Sequence, residues 1–130
     1  MQAALRTRLV GAAGVQTLVG DKVHWAIVPA KTALPYIRLQ TISDPREPTL
    51  AGLSAARTTR VRADCMATKY GTARAIAEAV VAEMEQPAAL DGIRFGKSRS
   101  LGPRDLGEDV PGTGYVHRLS LDLLIEHARS

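Results

Sequence analysis

The chain has 130 residues, 45% of them hydrophobic but only 4% aromatic, which suits one domain with a thin core of small side chains. Its 17 basic and 13 acidic residues give a formal charge of +4, supplied mostly by arginines spread from Arg6 to Arg129 rather than gathered in a basic arm. One cysteine, Cys65, excludes an intramolecular disulfide, and neither a signal-peptide core nor an apolar run of membrane-spanning length is expected.

Residues 2–10 place Ala4, Leu5 and Leu9, with Ala12 nearby, at roughly helical spacing and leave Arg6, Thr7 and Arg8 on the outside. Gly11 and Gly14 break this helix, and a short second turn from Val15 to Val19 stops at Gly20-Asp21. Lys22 to Val28 reads as a short strand. Trp25 within it is the expected core anchor of a chain poor in aromatics. Pro29 and Pro35 bracket a loop, and Tyr36 to Ser43 is the next strand, with Ile37 and Leu39 on one parity and Arg38 and Gln40 on the other.

Asp44 to Ala56 carries two prolines, one glycine and no periodicity. It joins two strands able to pair antiparallel, so it reads as a long hairpin arm. Arg46, Leu50 and Leu53 are its candidate partner contacts, the alternative being that the leucines fold back on their own sheet.

The most explicit stretch is Arg57 to Glu85. Val61, Ala63, Cys65 and Ala67 alternate with Arg60, Arg62, Asp64 and Met66, the pattern of a strand with one wet face. After Thr68 the period changes, and Ala73, Ile76, Ala77, Val80 and Met84 fall on one face of a helix. Small residues on the strand's inner parity let that helix lie close. Gln86-Pro87 ends it. A short strand from Ile93 to Lys97 follows the turn signal Asp91-Gly92. Ser98 to Gly114, rich in glycine, proline and charge, reads as a second long loop, with Arg104 and Asp105 as candidate partner contacts. The last strand runs from Tyr115 to His127. It sets His117, Leu119, Leu121, Leu123 and Ile125 on the apolar parity and Arg118, Ser120, Asp122 and Glu126 on the polar one. The whole predicts an α+β chain, a two-layer sandwich of a mainly antiparallel sheet with helices packed on one face, forming a single domain over residues 1–130.

No catalytic, cofactor or metal constellation is legible. His24, His117 and His127 stand at no metal-ligand spacing from one another or from Cys65. His117 reads as a packed side chain and Cys65 as a small buried hydrophobe. Gly112 to Tyr115 precedes a strand, whereas phosphate-cradling loops precede a helix. Asp105, Glu108 and Asp109 read as solvated loop carboxylates. The polar sheet face is the sharper candidate. Arg38, Arg60, Arg62 and Arg118 share it with Asp64 and Asp122. Three readings stay open there: local Arg–Asp pairing at a solvated face, contact with another subunit or a lumen, and phosphate binding.

The order of elements resembles the tail-completion (tail-terminator) family of long-tailed phages, prophages and gene transfer agents. The matching pieces are LVGDKVHW, ALPYIRLQTIS, RVRADCMATKYGTARAIAEAV and GYVHRLSLDLLIEH, which span nearly the whole chain. The resemblance implies a non-enzymatic structural virion protein with no cofactor. It would form a homo-oligomeric ring, most simply a hexamer, at the head-proximal end of the tail, after assembly in the host cytoplasm. Its implied partners are the tail tube protein and the head connector or stopper, with DNA only in transit through the lumen. Other head–tail joining or minor tail proteins, and a DNA-binding accessory protein, are the alternatives.

Overall fold

The computed structural model describes residues 1–44 and 57–129. Helix α1 (Gln2–Gly11) and helix α2 (Ala13–Val19) are separated at Ala12, whose backbone is extended. Gly20, at φ 65°, ends α2 in a conformation that favours glycine. Strands β1 (Val23–Trp25), β2 (Tyr36–Ser43) and β3 (Arg57–Ala67) lead to helix α3 (Tyr70–Met84). Strands β4 (Ala88–Leu90), β5 (Ile93–Phe95), β6 (Arg99–Val110) and β7 (Gly114–Arg129) complete the chain.

The chain is α+β, built on one curled, mixed sheet in the order β1-β2-β3-β7-β5-β4, with β6 also paired to β7. The sheet is mixed because β1 runs parallel to β2 while the other strand pairs are antiparallel. At the centre β3 pairs with β7 from Arg57↔His127 to Ala67↔His117. This register sets Val61, Ala63 and Cys65 opposite Leu123, Leu121 and Leu119, all at most 1% exposed. Helix α3 buries Ala73, Ile76, Ala77, Val80 and Met84 into the same core, the set its period predicts. The α1 and α2 residues Leu5, Leu9, Val15 and Val19 join them.

Five local expectations need correction. Residues 98–114 are not a loop: β6 occupies Arg99–Val110 along the edge of β7, so Arg104 and Asp105 lie on a strand. Most of β6 is exposed, and a strand wet on both sides carries no hydrophobic alternation to betray it. Pro103 is accommodated where the register slips between Leu101 and Arg104, at an edge bulge that requires no ladder donor. Residues 22–28 form only the three-residue β1, because Ala26 turns the chain at φ 59°. The expected strand at 93–97 is shortened to Ile93–Phe95 and pairs with β4, which has no sequence signature of its own.

The fourth correction concerns Arg8, expected outside and found only 5% exposed. Its guanidinium donates to Glu83 Oε1 at 2.9 Å and to the Glu83 and Gln86 carbonyls at 2.5 and 2.6 Å. It therefore places a cation at the C-terminal end of α3, where the helix dipole favours one. It also stacks 5.2 Å from the centre of the Phe95 ring. Trp25 is a partly buried lid at the core edge rather than its centre, with Nε1 donating to the Gln2 carbonyl at 2.9 Å.

Candidate assembly face

The pleat turns alternate residues of β2, β3, β7 and β6 away from the helices. The register then aligns them in rows across the sheet. One row reads Arg38, Asp64, Ser120, Arg104; the next reads Gln40, Arg62, Asp122, Leu101; a third reads Tyr36, Met66, Arg118, Leu106. All six sequence-predicted face residues, Arg38, Arg60, Arg62, Asp64, Arg118 and Asp122, are thus brought onto one side of the sheet.

Within these rows the charges interlock. Arg38 donates to Asp64 Oδ2 at 2.9 Å across the β2–β3 pair. On the next strand pair Asp122 accepts from Arg60 at 2.5 Å and from Arg62 at 3.4 Å. Burial acts to raise the Asp122 carboxyl, but these two arginines outweigh it through hydrogen bonds and charge and hold it below its ordinary value. The face is less wet than its polarity suggests. Asp64, Ser120 and Asp122 are 1%, 2% and 7% exposed, because the longer arginines cover them while keeping their own heads in solvent. Each buried carboxylate therefore has at least one cation against it, which offsets part of its desolvation cost.

Arg118 differs from the other three. Among the described residues it has no carboxylate partner, and its Nε is buried without a hydrogen bond. Asp64 Oδ1, Ser120 Oγ and Arg38 Nε are also buried and unpaired there. Beside them a cleft is lined by Ile27, Tyr36, Arg38, Met66, Glu108 and Arg118. Ile27 is 82% exposed at its rim. One end of the face therefore combines an apolar rim with an arginine that has no carboxylate among the described residues, while at the other end Arg60 and Arg62 both pair with Asp122.

The remaining candidates fall elsewhere. Arg46, Leu50 and Leu53, with most of the expected arm, lie outside the described residues. Arg104, Asp105, Glu108 and Asp109 are exposed along β6; Arg104 and Glu108 share the outer side, and Asp105 and Asp109 the other. Cys65 is fully buried, and desolvation together with the Asp64 charge pushes its thiol far above the usual value, so it is no nucleophile. His117 sits edge-on between Tyr70 and Tyr115, at ring separations of 5.7 and 4.8 Å. Among the described residues no three His, Cys, Asp or Glu side chains gather as metal ligands. No described helix is long and apolar enough to cross a membrane.

One polar network has no forerunner in the sequence reading. Arg57 and Thr59 both donate to Asp44 Oδ1, at 2.5 and 2.8 Å, where the chain leaves β2 and enters β3. Since Thr59 gives its only proton to Asp44, its Oγ1 accepts from His127 Nε2 at 2.8 Å. Burial, then the Arg57 charge, lowers the His127 pKa. Thr59 and His127 are 68 residues apart, a separation at which no local spacing signals contact.

In the solved virion of a native gene transfer agent (GTA) particle, one chain shares this fold at a TM-score of 0.66. It is 24% identical, over 99% of the present chain and 93% of that one. No curated protein matches the sequence. The family model described as "Tail completion protein gp17" matches residues 3–126, nearly the full length, and the chain belongs to that family.

Proposed function

We propose that the protein is a structural virion component at the head-proximal end of a tail. It would form a ring, most simply of six copies, that caps the tail tube, stops its growth and presents the surface to which the head joins. The family match across residues 3–126 carries this reading. The likeness in fold to a chain of a gene transfer agent virion agrees with it. In this reading the chain does no chemistry. The sheet face turned away from the helices would serve to display contact surfaces to neighbouring copies, to the tail tube protein and to a head connector or stopper.

Within the ring we assign subunit contact to the Arg118 end of the sheet face rather than to its whole width. Arg38, Arg60 and Arg62 are already paired with Asp64 or Asp122. Arg118 is half-buried and has no ion pair among the described residues, which leaves its guanidinium for a neighbour's carboxylate or carbonyl. The same pairing weakens a phosphate-binding role for Arg60 and Arg62, so DNA enters only as cargo in transit.

The deciding experiment is genetic and morphological. Removing the gene should give overlong tails, or tails of uncontrolled length that fail to join heads. Tails of normal length beside unjoined heads would assign the protein to head completion instead. Purified protein should show rings by electron microscopy, and a strictly monomeric species at high concentration, with no ring on tail tubes, would overturn the terminator reading.

A further inference from the structure

We infer that strand β6 is a self-complementary edge through which two copies of this chain pair antiparallel about a two-fold axis at Leu106. The inference does not rest on the ring reading, because a ring needs head-to-tail contacts between two different surfaces, whereas this contact uses one surface twice.

The first observation is the state of the sheet's edges. Strands β1 and β4 are three residues each, and the Val23 carbonyl on β1 is already taken by Arg6 Nε at 2.7 Å. Both are the short or covered edges that soluble proteins tolerate. Strand β6 has 12 residues and pairs only with β7 among the described strands. Beyond the bulge at Pro103, the run Arg104–Val110 is continuous and largely exposed. Every second residue of such a strand directs its N–H and C=O away from β7, free for another strand.

The second observation is the pattern along that run. Arg104, Leu106 and Glu108 face Ser120, Arg118 and Val116 on β7, so they share the outer side of the sheet. None of the three has an ion-pair or side-chain hydrogen-bond partner among the described residues, and Leu106 is 39% exposed. Placing a second β6 antiparallel with Leu106 opposite Leu106 sets Arg104 of each copy opposite Glu108 of the other. The centre of the contact is then apolar and both flanks are oppositely charged. On the inner side, Asp105 meets Gly107 and Asp109 meets Pro103, so no two acids oppose. Neighbouring registers lose this match. Centring on Gly107 sets Asp105 against Asp109 twice, and centring on Asp105 sets that residue against itself.

The full-length protein tests this by sedimentation across a concentration series. The wild type should show a reversible dimer. Arg104→Glu and Glu108→Arg should each weaken it by about tenfold or more, since each change sets like charges opposite at two symmetric places. The double variant Arg104→Glu/Glu108→Arg should restore the dimer, which a contact of any other register would not do. Thermal melts confirm that these exposed substitutions leave the fold intact. Leu106→Cys should give an intermolecular disulfide under mild oxidation, because residues directly opposite stand within bridging distance. The native Cys65 is buried and does not compete. A protein that stays monomeric, or that forms rings indifferent to both charge changes with no crosslink at position 106, overturns the proposal, while the ring reading stands or falls separately on rings seen on tail tubes.

Discussion

Arg8 and Glu83, 75 residues apart, are joined by a hydrogen bond of 2.9 Å that fastens the first helix to the end of the third. The same guanidinium holds the Glu83 carbonyl in the last turn of α3 and the Gln86 carbonyl just beyond it, and stacks on Phe95, and its side chain is only 3% exposed. Arg8→Ala therefore takes a donor from the Glu83 carboxylate and from the Glu83 and Gln86 carbonyls, of which the first carbonyl keeps a backbone N–H partner. We expect a loss of about 2–3 kcal/mol, below the cost of a fully buried pair because Glu83 is partly solvated. Arg8→Lys should recover only part of it, since an ammonium cannot span the three acceptors as a planar fork does. Urea unfolding checks both, and a loss under about 0.5 kcal/mol for Arg8→Ala would refute this account.

Ala63 lies on β3 with no exposed surface, opposite Leu121 and in the core cluster that includes Ala77 of α3. Close approach of helix to sheet depends on the small side chain there. Ala63→Leu should overpack the layer and destabilise by about 1–3 kcal/mol. Ala89→Leu, on an exposed position of β4, is the control and should lie within about 0.5 kcal/mol of the wild type. Equal melting temperatures for the two variants would show that Ala63 does not set the helix–sheet distance.

These residues also show which parts of the fold were legible in advance. Core positions in β3, α3 and β7 declare themselves because one face of each is buried and the periods 2 and 3.6 survive in the sequence. Strand β6 is silent because both its faces meet solvent, and β1 and β4 are too short to have a period. Arg8 was misread because its charge was allowed to outvote its position. It falls four residues after Ala4 on the buried face of α1. The charged sheet face was half legible. Parity placed Arg38, Arg60, Arg62 and Arg118 together, but which arginine pairs with which aspartate depends on strand order and register, which no local pattern encodes. The Asp44–Thr59–His127 network depends on the same non-local register.

Asp122 should shape the acid limb of stability. Its folded-state pKa is depressed, so the unfolded chain binds its proton more readily than the native one. The stabilisation is therefore present above the unfolded value, about pH 4, and is lost as pH falls through the lower folded value. Asp122→Asn should cost about 1–2 kcal/mol at pH 7, a figure reduced for solvent screening because the Arg60 and Arg62 side chains are 41% and 33% exposed. The loss should shrink toward pH 3. An Asn variant whose deficit is the same at pH 3 and pH 7 would mean that the arginine pairing does not depend on the carboxylate's charge.

His127 makes a prediction at milder pH. Burial and the nearby Arg57 charge lower its pKa in the folded chain, against the smaller opposing pull of Asp44. The native state then binds a proton less readily than the unfolded one. Its contribution is fully present above the unfolded value, about pH 6.5, and falls away as pH drops from there to the folded value. The neutral ring donates through Nε2 to Thr59, whose hydroxyl proton is committed to Asp44. His127→Gln keeps a donor but cannot titrate, so its stability should be flatter than wild type between about pH 5 and 7. Thr59→Val removes the relay while leaving the ring titratable. It should lower stability at pH 7.5, since Asp44 and His127 each lose a partner, yet preserve a slope between pH 5 and 7. Chemical unfolding of the three proteins at several pH values separates the cases. A His127→Gln profile as steep as wild type would move the pH dependence away from this histidine.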